Sequence, residues 1–286
     1  MQKIRLVTVT GSRTNTLHHM LNHYNDLVDE ICIIVYEWDR FSTYDDVYEI
    51  TKQFPKAKIV KREIAEKFNW EKVTNLYNEV KQMYPNDWWV VSDDDEFHIY
   101  PRPIRELISE CEENGWEFIT GGFIDRIGEN GDFPEINENT NIWKQFPLAG
   151  FFRYPMSGAC PNKVCVMKGS VNVTSGQHYV DFGNGENSWG TSHPQRYPIG
   201  RGGGLIQVHH FKWDSTCMDR IKDVANIKKE YAFSDEYQSM YNSIQWNDFK
   251  IDINNPNFMI EKSPLKLNNF SDYSKWNRLS KIITKI

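Results

Sequence analysis

The stretch Trp88-Trp89-Val90-Val91-Ser92-Asp93-Asp94-Asp95-Glu96-Phe97 decides how the chain is read. A short apolar run rich in aromatic and β-branched residues predicts a buried strand, so the acidic cluster falls at that strand's carboxyl end. Open α/β sheets bind their ligands at that end. If the extended backbone persists, Asp93 and Asp95 share one face and Asp94 and Glu96 the other. Two carboxylates about 5 Å apart repel by roughly 3 kcal/mol at an effective dielectric near 20. No lysine or arginine nearby in the sequence offsets this, and a divalent cation would. Ligation by oxygen alone suits Mg²⁺, Mn²⁺ or Ca²⁺. The residues therefore point to a metal site gripping an anionic ligand such as a diphosphate; the plain alternative is a solvated acidic turn.

The whole chain bounds that reading. Its 286 residues, 40% hydrophobic and 25% charged, allow one large domain or two small ones with ample core. A net charge of −6 offers no basic surface for nucleic acid. Ten Trp, fourteen Tyr and sixteen Phe are mostly core, and the excess leans towards sugar rings or nucleobases as ligands. Cys32, Cys111, Cys160, Cys165 and Cys217 show no zinc spacing, and their odd number excludes a complete disulfide framework. Reduced thiols, no signal segment and no long apolar span predict a cytoplasmic protein without a transmembrane segment. The sequons at Asn172 and Asn269 are then read as accidental.

Working outward, strands are expected at 4–10, 30–38, 58–62 and 118–126. Helices follow from apolar spacing at Leu17–Tyr24 (capped by Thr14 or Thr16), Tyr44–Phe54, Trp70–Met83 and from Pro103 to Cys111, the last stopped by Asn114-Gly115. This alternation predicts an α/β fold, a mostly parallel central sheet of Rossmann-like nucleotide-binding type with helices on both faces. Residues 127–162 are Gly-, Asn- and Pro-rich but aromatic, an irregular acceptor-side region. KVCVM and SVNVT flank Lys168-Gly169 as an expected hairpin. Residues 205–213 read as a strand, Asp214 as the cap of a helix carrying Met218, Ile221 and Ala225, and 234–286 as weakly periodic. The expected organisation is one domain over 1–230, split into 1–126 and 127–230, with a C-terminal extension over 231–286.

Further groups could carry chemistry. In LIQVHHFKW only one histidine can face a cleft; His210 is the candidate metal or phosphate ligand and Lys212 the phosphate counter-charge, the alternative being a core histidine bonded to backbone. Asp125, at the end of the fifth strand, is a candidate general base or an ion-pair partner. His178, Asp181 and Glu186 lie in SGQHYVDFGNGE, where each could orient an acceptor or sit in an ordinary loop. There is no Walker loop, no dinucleotide fingerprint and no nucleophile elbow, and Gly202–Gly204 is a faint phosphate loop at most.

The strand ending in Asp93-Asp94-Asp95-Glu96-Phe97 resembles the DxD signature of GT-A glycosyltransferases, most nearly a family 2-like group with a D-x-D-E-F form. LHHMLNHYNDLVDEICIIVYE resembles that group's opening helix and second strand, GGFIDR its next strand, and SGQH and HHFKW its two histidine segments. The resemblance covers roughly residues 1–230 and implies a UDP- or GDP-sugar donor with Mn²⁺ or Mg²⁺. It places Asp93 on ribose or metal, Asp95 on the metal, His210 at a late metal or phosphate contact, and Asp94 and Lys212 beside the donor. The base would lie near Thr10, Gly11 and Glu37. Thr-Gly-Ser-Arg departs from the usual opening after the first strand, and the usual Glu-Asp base motif is not evident. Asp125 and Asp181 are the expected bases, with inversion as the default outcome. The acceptor is a glycan, lipid-linked or protein hydroxyl. A sugar-nucleotide pyrophosphorylase is a rival, although Gly11-Ser12-Arg13 is a poor version of its loop; a carbohydrate-binding protein without turnover is the other.

Overall fold

The computed structural model describes residues 2–38, 41–183, 194–198, 206–226, 233–258 and 260–262. Glu186, Gly202–Gly204 and Asn269 lie outside them. The chain divides into two compact units, the first built from Met1–Gly122 and Asn162–Val208, the second from Phe123–Pro161 and His209–Leu267. The boundaries fall inside strands, between Gly122 and Phe123 and between Val208 and His209.

The first unit opens with the expected alternation: β1 (Ile4–Thr10), α1 (Leu17–Tyr24), β2 (Glu30–Trp38), α2 (Tyr44–Thr51), β3 (Ala57–Ala65), α3 (Trp70–Gln82) and β4 (Trp88–Val91). β5 (Glu96–Ile99), α4 (Ile104–Asn114) and β6 (Phe118–Ile127) follow. β1 pairs in parallel with β2 and β4, and β2 with β3. The later strand β8 (Asn162–Lys168) runs antiparallel between β4 and β6. The central sheet is thus mostly parallel. Alternation sends Trp89 and Val91 into a core with Val73, Leu76, Tyr77 and Val80 of α3. Trp88 points the other way, and its indole donates to Glu112 of α4 at 2.6 Å. Helices therefore flank both faces. Asn69 caps α3 by accepting from the Lys72 amide at 2.9 Å. Gly115 ends α4 at φ +72°, a left-handed cap that glycine supplies without strain. Thr16 occupies the position before α1 but makes no side-chain cap bond.

The expected hairpin at Lys168-Gly169 is not formed. β8 spends both edges on β4 and β6, and β9 (Asn172–Val173) pairs instead with β10 (Val180–Asp181). Gly169 lies where a Cβ would meet the Tyr84 carbonyl at 2.4 Å, so its place is set by close packing on the end of α3.

In the second unit, β7 (Leu148–Gly150) sits between two antiparallel neighbours, Asp125–Ile127 of β6 and β12 (Glu261–Lys262). The short helices α5 (Ile142–Gln145) and α6 (Arg153–Ser157) order part of the irregular region. After β11 (Ile206–His210), Asp214 accepts from the Thr216 amide at 2.9 Å at the start of α7 (Cys217–Asn226). The weakly periodic segment forms a 13-residue helix, α8 (Ser234–Trp246). Its Met240 and Ile244, with Ile251 and Phe258, join Phe152, Trp213 and Ile221 in one buried cluster. Among the described residues no helix is long and apolar enough to cross a membrane.

Candidate functional site

The acidic stretch leaves the sheet at the carboxyl end of β4, as expected, but it does not stay extended. The Glu96 amide donates to the Asp93 carbonyl at 3.1 Å and closes a turn, so the expected sharing of faces by alternate residues fails. The turn is over-determined. Ser92 Oγ lies 2.6 Å from the Glu96 carbonyl, and the Glu96 carboxylate accepts from the Asp93 amide at 3.1 Å.

No cation is near the turn in sequence, but two that are distant in sequence face it. Arg13 donates to Asp95 Oδ2 at 2.8 Å. Lys163, 1% exposed, is ringed by Asp93 Oδ2 at 3.1 Å, Glu96 Oε1 at 2.8 Å, Gln177 Oε1 at 2.6 Å and the Gly176 carbonyl at 3.3 Å. Burial opposes its charge, but the charges of Asp93 and Glu96 outweigh that and raise its pKa. The Tyr77 hydroxyl lies 2.6 Å from Asp93 Oδ1, so both oxygens of Asp93 are held by the protein. Thr10 Oγ1 donates to Asp94 Oδ2 at 2.6 Å. Burial, with the neighbouring Asp95 charge second, pushes the Asp94 carboxyl up to about 7. Among the described residues four carboxyls meet two cations here, and this set of hard oxygen donors fits a divalent ion.

Beside this turn, the ends of β1 and β2 are tied to the start of α2. Gly11 has φ +147°, and a Cβ there would lie 2.1 Å from the Tyr36 carbonyl, so only glycine fits. Its carbonyl accepts from Thr43 Oγ1 at 2.8 Å. Glu37, 2% exposed, accepts from the Thr43 and Tyr44 amides at 2.7 and 3.0 Å and from Arg62 Nε at 2.8 Å. Burial raises its pKa, and the Arg62 bond and helix amides lower it further than that, to a net depression. Glu37 therefore acts here as the acidic cap of α2. Asp181 is exposed at the end of β10 and accepts from the Gly183 amide at 2.7 Å. His178 Nδ1 lies 2.7 Å from the Asn162 carbonyl.

In the second unit, buried side chains surround Asp125. Asp125, 1% exposed, accepts from the Trp213 indole at 2.8 Å and from the Arg153 amide at 3.2 Å. His210 Nδ1 lies 3.6 Å from Asp125 Oδ1, and the His210 ring is tilted against Phe123 with centroids 5.0 Å apart. Burial raises the Asp125 pKa, but hydrogen bonding and charge from His210, with the Arg153 charge and the Trp213 indole, bring it below the usual carboxylate range. On the opposite parity His209 Nδ1 accepts from Arg126 Nε at 3.0 Å, as strand alternation requires. Lys212, 4% exposed, donates to the Tyr237 hydroxyl at 3.2 Å and lies 4.4 Å above that ring.

The structure thus brings Thr10, Asp93, Asp94 and Asp95 together, and it places Asp125 beside His210. Arg13, Lys163, Tyr77 and Gln177 are additions the sequence reading missed. The polar Lys163 in the apolar run Lys163–Met167 was the available signal, because a lysine on a buried strand needs partners.

Comparison with protein-family models and with curated protein sequences finds no match. Among solved structures, the chain is similar to S. aureus TarS 1-349 in complex with UDP, at 10% identity over 86% of this chain and 72% of that one, TM-score 0.35. It is also similar to a 4-diphosphocytidyl-2C-methyl-D-erythritol synthase at 14% identity over 59% and 76% of the two chains, TM-score 0.33. A third is a putative glucose-1-phosphate thymidylyltransferase from Bacillus anthracis, at 10% identity over 99% and 96%, TM-score 0.30. Similarity at this level assigns no activity. What the coordinates define is an α/β protein with a mostly parallel sheet flanked by helices and an acidic turn at the carboxyl end of a central strand.

Proposed function

We propose that the chain is a metal-dependent glycosyltransferase that moves a sugar from a UDP- or GDP-sugar to an acceptor hydroxyl. The observation that carries this reading is the gathering of four carboxyls in the Asp93–Glu96 turn, at the end of the sheet where α/β proteins take ligands. The ordered resemblance of the chain to GT-A enzymes supports it.

Asp95 and Asp93 would hold Mn²⁺ or Mg²⁺, which would supply charge neutralisation at the departing diphosphate. The protein's own part is to fix those ligands. Tyr77 and Lys163 orient Asp93, Arg13 orients Asp95, and Thr10 orients Asp94. The nucleoside would lie at the end of β1, where only glycine fits at position 11 against the Tyr36 carbonyl. Of the two expected bases, Asp181 is the better placed to take a proton, since it is exposed, whereas both oxygens of Asp125 accept protein hydrogen bonds.

Thermal melting against a panel of nucleotide sugars, with and without Mn²⁺, tests the reading. A rise that needs both metal and one nucleotide, followed by transfer or hydrolysis of its sugar, is expected. A metal-independent response, or pyrophosphate release from a nucleoside triphosphate and a sugar phosphate, would replace it with another nucleotide chemistry.

A further inference from the structure

Arg196 lies in the first unit, outside the acidic turn. Its segment runs alongside the start of β6. The Glu117 amide donates to the Gln195 carbonyl at 2.7 Å, the Tyr197 amide to the Phe118 carbonyl at 2.9 Å, and Phe118 and Arg196 form a parallel bridge. The side chain is 6% exposed. Nε donates to Thr120 Oγ1 at 3.0 Å, and Nη2 donates to the same oxygen. A guanidinium carries five N–H donors. Two therefore end on one hydroxyl, and the other three have no acceptor among the described residues.

The other arginines of this unit are balanced differently. Among the described residues, Arg5 pairs with Asp87 and Glu30, Arg13 with Asp95, Arg62 with Glu37, Arg102 with Glu110 and Arg105 with Asp29. Arg196 has no carboxylate within ion-pair distance among the described residues. Buried charges are ordinarily paired, because a lone one forfeits hydration that nothing repays. The planar fork of a guanidinium matches two oxygens of a phosphate, and a bidentate contact of this kind is short and strong. The Thr120 hydroxyl accepts from Arg196 and keeps its own proton to donate.

We infer that Arg196 and Thr120 form a site for a phosphate-type oxyanion, with the guanidinium as its fork and the hydroxyl as a further donor. The site is independent of the glycosyltransferase reading and needs no metal.

The test is thermal melting of the full chain in inorganic phosphate against chloride at matched ionic strength, with EDTA present so that the acidic turn takes no cation. At about ten times its dissociation constant, phosphate should raise the wild-type Tm by about 3 °C. Arg196→Met should show no rise, and Arg196→Lys a smaller one, because the charge stays while the fork is lost. Thr120→Val, a second variant should Arg196→Met not fold, should also reduce the rise. An unchanged rise in both Arg196→Lys and Thr120→Val, or no rise in the wild type, overturns the proposal. An equal response to acetate would overturn the phosphate assignment in favour of a carboxylate.

Discussion

The acidic turn of the first unit and the Asp125 group of the second both bury carboxyl groups at strand ends, yet their charge balances are opposite. Around Asp93–Glu96 four carboxyls meet two cations among the described residues, and Asp94 is pushed up to about 7 by burial and the adjacent Asp95. Around Asp125 a single carboxylate meets Arg153, His210 and the Trp213 indole, and its pKa is depressed. In the second, both oxygens of Asp125 accept hydrogen bonds from the protein. The contrast separates two uses of a buried acid that look alike in the sequence.

Substitutions probe that separation, beginning with the largest effect. On the proposed function, Asp95→Asn removes a charge that would hold the metal without removing bulk; sugar transfer should then fall by about 10³-fold while the melting temperature changes little. Full activity in this variant would break the assignment of the turn. Lys163→Met leaves Glu96 and Asp93 without their shared cation, and chemical denaturation should show a loss of about 4 kcal/mol. Asp125→Ala strips the acceptor from Trp213 and the Arg153 amide; it should cost about 3 kcal/mol of stability, with the specific activity of the folded fraction retained. If Asp125→Ala instead abolished turnover without destabilising the protein, the comparison would reverse.

The pH dependence sharpens the same point. The folded pKa of Asp125 is below its unfolded value, so its contribution is present above the usual carboxylate range and is lost as pH falls through the depressed folded value. Asp125→Ala should therefore narrow the stability difference from wild type in acid. Lys81 gives the smallest effect and the opposite sign. Burial lowers its pKa to about 7, and its ammonium has the Val171 carbonyl as acceptor. The unfolded chain binds the proton up to the ordinary lysine range, so stability attributable to this site rises from about pH 7 towards that range. Lys81→Met should flatten this rise and add about 1 kcal/mol at neutral pH, the gain from an uncharged side chain being partly offset by the orphaned carbonyl.

Much of the first unit was legible because its pattern is local. β1 through β4 and α4 follow from apolar runs alternating with 3.6-residue spacing, and Asn114-Gly115 marks a helix end. α8 was not legible, since its only fully buried apolar side chains are Met240 and Ile244, too few to raise a periodic signal. The hairpin expected at Lys168-Gly169 failed because pairing is decided by available edges, and both edges of β8 were taken by strands remote in sequence.

The sequence by itself determined that a strand ends in a cluster of acids, because hydrophobicity and charge are properties of each residue. Only the tertiary structure decided what those acids meet. Arg13 reaches Asp95 across 82 positions, and Lys163 reaches Asp93 across 70. It also decided that the cluster turns instead of running extended, and that Asp125 is closed off by Trp213, 88 positions away. Electrostatic energy depends on distance and burial in space, and neither is a function of separation along the chain.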